Sequence, residues 1–456
     1  MPERDDFRAS LDALRDQPEA LIAIIVQLRA QVAALEARLR DLDDQNRGLR
    51  ERVDAAERTA ARQAAPFRRD PQQRTQAPKR PGRRAGHPGT WRAVPSQVDA
   101  AVTVPLVACP ACGGPLTDVR PCIQYIEEVP PVRPHVTRVT THVGHCRQCA
   151  RAVRSTHPLQ VSSAGGAARV QLGPRALALA AALHTRLGLT MRRTCEVLRT
   201  FSGLALTPGG LAHALARLAE GLQPAYDALR SAIRAGPVVH SDETSWWVGG
   251  PAWLWVATTP DTTLYEVAQS RGRTVIADVL GATFAGVLVS DCLAVYDGLP
   301  GRHHKCYAHH LKALRQTQAT GPAPIAHQWD LLLHAAMAVK PLALSEADRA
   351  AHRTRLEAWA DRLVGTPPQT AHEAPVCRRL ARHRAELFTF LDHPAVPATN
   401  NLAERQLRPA VIARKLSCGN KTRRGATTWQ VLASLAATAT QRRTSFVDLV
   451  AQSVTL

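Results

Sequence analysis

Two runs in this chain end alike: Val-Val-His-Ser-Asp at 238–242 and Val-Leu-Val-Ser-Asp at 287–291. Each is short and apolar until it meets acid, which fits a strand buried on both faces. Between them, AWLWVATT and TLYEVAQS read as two further strands, set off by the turn signals Gly249-Gly250-Pro251 and Pro260-Asp261. RTVIADVLGA then has helical spacing. The expected order is three consecutive strands, a helix, and a strand parallel to the first. Side by side, the two matching runs would project Asp242 and Asp291 from neighbouring strand ends. Either Asp alone would read as a helix N-cap or turn residue; the repeated pattern favours a shared site.

This order resembles the start of a ribonuclease-H-like core. Carboxylates forced together raise each other's pKa unless a cation neutralises them. Mg²⁺ or Mn²⁺, which prefer oxygen ligands, meet that need. With a third acid, two such ions about 3.5–4 Å apart activate an attacking oxygen and stabilise the leaving one in phosphoryl transfer. That acid must come from beyond residues 311–398, where Trp329, Leu332 and Leu333 mark one amphipathic helix and Leu356, Trp359 and Leu363 another. The stretch NNLAERQLRPAVIARK follows and supplies Glu404 among Arg405, Arg408, Arg414 and Lys415. Its spacing from Asn401 also fits a capping box. Cations around a metal-binding acid are what a phosphate substrate requires.

The whole chain is basic, with 58 Lys and Arg against 38 Asp and Glu and a net charge of +20. A clustered excess of this size points to a polyanion, DNA first, over an Arg-rich solubilising surface. No apolar run approaches the roughly 18–20 residues needed to span a bilayer, so no membrane partner is expected. Among the ten cysteines, Cys109-x-x-Cys112 and Cys146-x-x-Cys149 form two knuckles. In a reducing cytoplasm they point to structural Zn²⁺ rather than disulfides, the alternative being four unrelated thiols. His145 is a spare donor. The intervening CIQYIEEV and HVTRVTTHV can form a hairpin.

Ahead of the knuckles, Leu21, Ile25, Leu28, Val32, Leu35, Leu39, Leu42, Asn46, Leu49 and Val53 recur at alternating spacings of four and three. That heptad seam suits a parallel two-stranded coiled coil, with Asn46 fixing register; one amphipathic helix packed on its own domain is the plainer reading. Next, a basic Pro- and Gly-rich stretch carries Lys79, Arg80, Arg83 and Arg84, either as a DNA-contacting arm or as a solvated linker. Residues 165–235 read as helices in which Thr207 caps a helix opened by Pro208, in the manner of a helix-turn-helix or of any helical bundle. The expected organisation is multidomain α+β. It comprises a coil (1–57), a linker (58–100), a zinc-ribbon-like module (101–160), a helical domain (165–235), a core (236–310) with an all-helical insertion (311–398), and a final core segment (399–456).

The blocks HSDETSWW…WLWVATT, VSDCLAVYDGL…HKCYAHHLKAL and NNLAERQLRPAVIARK resemble the three catalytic blocks of the insertion sequence 66 family of transposases. The seam, the basic KRPGRRAGHPG and the paired knuckles match that family's order as well. The resemblance implies a DDE triad of Asp242, Asp291 and Glu404 holding two Mg²⁺ or Mn²⁺ ions. It sets Cys306 and His309 as a Cys-x-x-His signature and Asn401 and Arg408 as the pattern around the third acid. Ser245-Trp246-Trp247 departs from the family's usual wording. It implies cleavage and joining of DNA at element ends, a homodimer bringing two ends together, small accessory proteins, and a nucleoid-associated place in the cytoplasm. A non-catalytic DNA-binding regulator and a two-metal nuclease without joining are the rival readings.

Overall fold

The computed structural model describes residues 18–61, 86–87, 92–157, 160, 170–342 and 344–454. The chain divides into two compact units, Met1–Ala93 and Val94–Leu456. Among the described residues of the first is a helix, α1 (Pro18–Ala61), of 44 residues. Its Leu28, Val32, Leu35, Leu39 and Leu42 are 48 to 62% exposed. An apolar stripe of that length on a lone helix loses most of its stabilisation unless something covers it. Lys79, Arg80, Arg83 and Arg84 lie outside the described residues, as do the side chains of Leu21, Ile25, Leu49 and Val53.

In the second unit, residues 94–157 carry a single hairpin, β1 (Val143–His145) with β2 (Ala152–Arg154), antiparallel. The hairpin expected from 122–129 and 135–143 is irregular instead, save for Val143 at the start of β1. Its Ile123, Ile126, Val129 and Val136 stand in solvent, and a two-stranded ribbon with no layer behind it is marginal. Both knuckles close in the same way. Gly113 N–H donates to Cys109 O (2.8 Å) and Ala150 N–H to Cys146 O (2.9 Å). Gly113 and Ala150 both take positive φ, 73° and 54°.

The five-stranded sheet comprises β3 (Val238–Trp247), β4 (Pro251–Thr258), β5 (Thr263–Ala268), β6 (Val287–Ser290) and β7 (Arg302–Lys305). Its order is β5-β4-β3-β6-β7, antiparallel through the first three and parallel from β3 to β6 to β7. The crossover from β5 to β6 is α6 (Arg273–Leu280). The chain is thus mixed α/β, with a sheet compatible with a ribonuclease-H-like core. β7, absent from the sequence reading, is Arg-His-His-Lys and still buries His304 and Lys305 fully.

Ahead of the sheet come α2 (Pro174–Ala181), continued by a π turn, α3 (Met191–Ser202), α4 (Pro208–Gly221) and α5 (Gln223–Arg234). Thr207 caps α4 by accepting from Gly210 N–H at 3.1 Å, with Pro208 at the first position. These helices share one core with Val239, Trp255, Ala257 and Leu288 of the sheet and with α13 (Arg423–Gln441). α4 buries Leu211, Leu215 and Leu218 there, while α3 exposes Arg192, Arg193 and Arg199.

The free edge of β5 is closed by a helix rather than another strand. The N–H groups of Thr263, Tyr265 and Val267 donate to Thr438 Oγ1 (3.0 Å), Ser434 Oγ (2.9 Å) and Gln430 Oε1 (3.0 Å). Two residues of strand advance about 6.6 Å and four residues of helix about 6.0 Å, so alternate amides meet side chains at every fourth helical position. An open edge, the template for unwanted pairing, is removed.

The insertion contains α7 (Tyr307–Thr320), α8 (Pro324–Val339), α9 (Glu346–Gly365), α10 (Ala374–Arg382) and α11 (Thr389–Asp392). Its core joins Trp329, Leu332, Phe388 and Phe390 to Val238, Val287 and Val289 of the sheet. The chain then returns through α12 (Asn401–Ser417) and α13 to α14 (Phe446–Val454), which packs on α2.

Candidate active site

Register builds the site. β3 pairs with β6 as Val238↔Val287, Val239↔Leu288 and His240↔Val289, and the same offset carries Asp242 to the level of Asp291. Alternation puts Asp242 on the face of His240 and Thr244, and Glu243 on the other. Asp242 accepts from Glu243 N–H (2.9 Å), and Asp291 Oδ1 accepts from Leu293 N–H (2.9 Å).

Glu404 arrives on the first turn of α12, whose Ala403, Leu407 and Ala410 pack on Trp246, Leu254 and Val256. The start of that helix is fixed by Asn400, which is fully buried. His240 Nδ1–H donates to Asn400 Oδ1 (3.0 Å), and Asn400 Nδ2 donates to Ser241 O (2.8 Å). Its backbone N–H points at Cys306 Sγ (3.1 Å). One side chain thus ties the third acid's helix to the strand of the first acid. Pro409 lies inside α12, and in the turn before it Tyr265 O–H donates to Gln406 O (2.6 Å) and pins that turn to the sheet.

The charges meet at Asp242. Its pKa is pushed up to about 7, chiefly by burial, then by the negative charge of Glu243, with Asp291 and Glu404 adding to it and the Glu243 N–H opposing. Asp291 and Glu404 are therefore both within electrostatic reach of Asp242. The three carboxylates are not all within 4.8 Å of one another. Two cations about 3.5–4 Å apart need ligands spread around a pair of ions rather than one point. A buried acid loaded with like charge fits such a cation pair, whose Mg²⁺ or Mn²⁺ would be held by Asp242, Asp291 and Glu404.

Glu243, the other half of the acidic couple, already has partners. Its side chain is 2% exposed, Tyr296 O–H donates to Oε2 (2.7 Å), and Arg271 Nη2 (2.7 Å) and Nε (3.1 Å) donate to Oε1. The Arg271 guanidinium itself lies over Trp253, 4.3 Å from the ring centre. The couple thus divides into one uncompensated carboxylate and one structural ion pair.

Arg405, Arg408 and Lys415 are exposed on α12. Arg414 is instead committed to β3, donating to Thr244 Oγ1 (3.1 Å), Ser245 Oγ (2.6 Å) and Ser245 O, and burial lowers its pKa. Asn401 is exposed at the first position of α12. Sequence reasoning saw in Asn400 and Asn401 only a helix cap ahead of Glu404, and the doubled Asn was the one signal of more.

Cys306 and His309 open α7, and the Cys306 Sγ and one His309 ring nitrogen lie with a Glu404 oxygen in one group, all within 4.8 Å of each other. Cys306 is buried, which raises its thiol pKa. At the knuckles, backbone N–H groups of Ala111 and Cys112 lower the Cys109 pKa, and those of Cys149 and Gln148 lower that of Cys146. Amides aimed at sulfur favour the thiolate that zinc binds, so each pair fits one edge of a tetrahedral site. Among the described residues the four knuckle cysteines are not gathered within 4.8 Å.

A family model described as Transposase IS66 family matches residues 169–428. The chain is 24% identical over 306 residues to the uncharacterized protein y4qI of Sinorhizobium fredii (strain NBRC 101917 / NGR234), an alignment covering 59% of this chain and 56% of that protein. Uncharacterized protein y4jD of the same strain is 23% identical over 364 residues, covering 72% of this chain and 70% of that relative. The matched family span takes in more than half of the chain, including the strand ends bearing Asp242 and Asp291 and the helix bearing Glu404, and the chain belongs to the IS66 family of transposases.

Proposed function

We propose that the chain is the DNA transposase of a bacterial insertion sequence, binding element ends and catalysing metal-dependent strand cleavage and transfer. The observation carrying this reading is the parallel register of β3 and β6, which sets Asp242 level with Asp291 while α12 packs Glu404's turn on the same sheet. Divalent metal, when bound, supplies activation of the attacking oxygen and stabilisation of the leaving one. The protein's part is to hold three acids on two parallel strand ends and one pinned helix. Arg405, Arg408 and Lys415 draw in the phosphate backbone, and Arg414 braces β3. Lys79, Arg80, Arg83 and Arg84 add to the salt-dependent affinity. Zn²⁺ on Cys109, Cys112, Cys146 and Cys149 stiffens the knuckle module, and small accessory proteins of the same element join the complex. Among the described residues no helix is long and apolar enough to cross a membrane.

The test is purified protein with Mg²⁺ on a labelled duplex containing an element end. Joined products support the reading, nicks alone indicate a nuclease, and shifted but intact DNA indicates a regulator.

Two copies of α1 pair in this reading through the exposed seam. Replacing Leu28, Leu35 and Leu42 together by Asn is expected to convert a dimer to a monomer in sedimentation equilibrium. An unchanged mass would show that the seam is not the interface.

Asp242 also predicts how metal and pH interact. Its pKa rises from 3.8 to about 7 on folding. Between those values the unfolded chain has lost the proton and the folded one keeps it, so this group's contribution to stability falls as pH rises through the window. Mg²⁺ offsets the charge only once Asp242 is ionised. The Mg²⁺-induced rise in Tm is expected to be small at pH 5.5, to grow up to pH 8, and to lose this pH dependence in Asp242→Asn. A Tm rise that ignores pH would contradict the assignment.

A further inference from the structure

We infer that Cys306, His309 and Glu404 form a further metal site, selective for thiophilic divalent cations such as Zn²⁺ or Co²⁺. Three donors of different elements, from a helix start and a helix first turn distant in sequence, share a space in which every pair lies within 4.8 Å. Coordination by sulfur at about 2.3 Å and by nitrogen and oxygen at about 2.0–2.2 Å sets donors roughly 3.3–3.8 Å apart, so closing on an ion takes movements of about an ångström. His309 sits three residues after Cys306 on the first turn of α7, which puts both on one side of the helix.

The surroundings suit a metal better than a packing cluster. His309 Nδ1 is buried with no hydrogen-bond partner, a cost that ligation through that nitrogen would remove. The Asn400 N–H points at Cys306 Sγ (3.1 Å), and Arg379 Nη2 donates to the His309 carbonyl (3.0 Å), holding the turn that carries the imidazole. Sulfur with imidazole selects against Mg²⁺, which wants an oxygen shell. Three protein ligands leave a fourth position open to water or a phosphate oxygen. On binding, the cation replaces the proton of the Cys306 thiol, which leaves to solvent. The other mixed cluster, Asp297 with His383 and Glu386, differs in kind. Lys305 Nζ (3.0 Å) and Arg382 already neutralise Asp297, and His383 Nδ1 pairs with Glu386 (2.9 Å).

Glu404 would then belong to two sites at once. On the transposase reading, a thiophilic ion holding Glu404 withdraws it from the Mg²⁺ pair, so the element's chemistry would respond to zinc supply.

The test is Co²⁺ titration of the full-length protein, of Cys306→Ser and of His309→Gln, followed by thiolate-to-cobalt charge transfer and the visible bands of four-coordinate cobalt. The parent is expected to bind one equivalent more than either variant, with a spectral increment from a single thiolate, whatever the knuckles contribute. Equal stoichiometry and identical spectra in all three proteins would overturn the site. Should Cys306→Ser lose its fold with the Asn400 contact, His309→Gln decides, because the removed Nδ1 holds nothing in place. Cobalt binding is read without DNA, so failure of the transposase reading leaves this result intact.

Discussion

Asp291→Asn is expected to lower DNA strand cleavage by roughly a thousandfold while leaving binding of end-containing DNA essentially unchanged. A bound metal contributes several kcal/mol of transition-state stabilisation, and about 4 kcal/mol is a factor of a thousand. The substitution is nearly isosteric, and an amide oxygen can still accept the Leu293 N–H that shapes the turn after β6. What is lost is one negative charge. That loss relieves Asp242, whose raised pKa comes partly from Asp291, so the variant should melt no lower than the parent without metal. This combination separates a catalytic effect from misfolding: cleavage falls, thermal stability holds, and the gel shift persists. Cleavage within a few-fold of the parent would remove Asp291 from the metal site and the DDE assignment with it.

The strand ends were legible because their physics is local. A β-branched apolar run closed by Ser-Asp reads the same wherever it lies, and the parallel register of β3 and β6 then set Asp242 level with Asp291. β7 was illegible for the opposite reason. Arg302-His303-His304-Lys305 looks solvated, yet His304 stacks near Tyr307 and Phe390, and Lys305 finds Asp297. Its burial depends on the whole insertion folding back, since Phe390 lies far along the chain from His304. Glu404 could be proposed from its basic neighbours and the family resemblance, but what delivers it is Asn400, through bonds to His240 and Ser241 that no spacing announces. Arg414 shows the same limit in reverse, since a residue read as a DNA contact is held by Thr244 and Ser245.

Glu373→Ala is expected to cost roughly 3–5 kcal/mol, near the upper end for single substitutions. This carboxylate is fully buried in the insertion. Oε2 accepts from the N–H groups of Ile325 and Ala326, both at 3.1 Å, and so caps the start of α8 from another segment. Oε1 accepts from Gln369 (2.6 Å) and Thr370 (3.1 Å), closing the turn that leads into α10. Burial alone would raise its pKa, but the four amides lower it on balance. Alanine leaves four donors without an acceptor, each costing about 1–3 kcal/mol if it stays dry, with the sum reduced where water enters. Glu373→Gln keeps one carbonyl oxygen but turns an NH₂ group toward the other pair of donors, so an intermediate loss is expected. The pH dependence fixes the sign. With a folded pKa below the ordinary 4.5, the carboxylate stabilises the protein above that value and its contribution disappears as pH falls through the folded pKa. The gap between parent and Glu373→Gln in urea unfolding should therefore be full at pH 7 and narrow as pH falls below the ordinary 4.5 and through the folded pKa. Faster amide exchange should appear first across α8 and the turn at 369–373 and spread to β6, because Val287 and Val289 share the insertion's core. A Glu373→Ala protein within about 0.5 kcal/mol of the parent, the range of ordinary surface changes, would mean that the amides find other acceptors and that this carboxylate does not hold the insertion on the sheet.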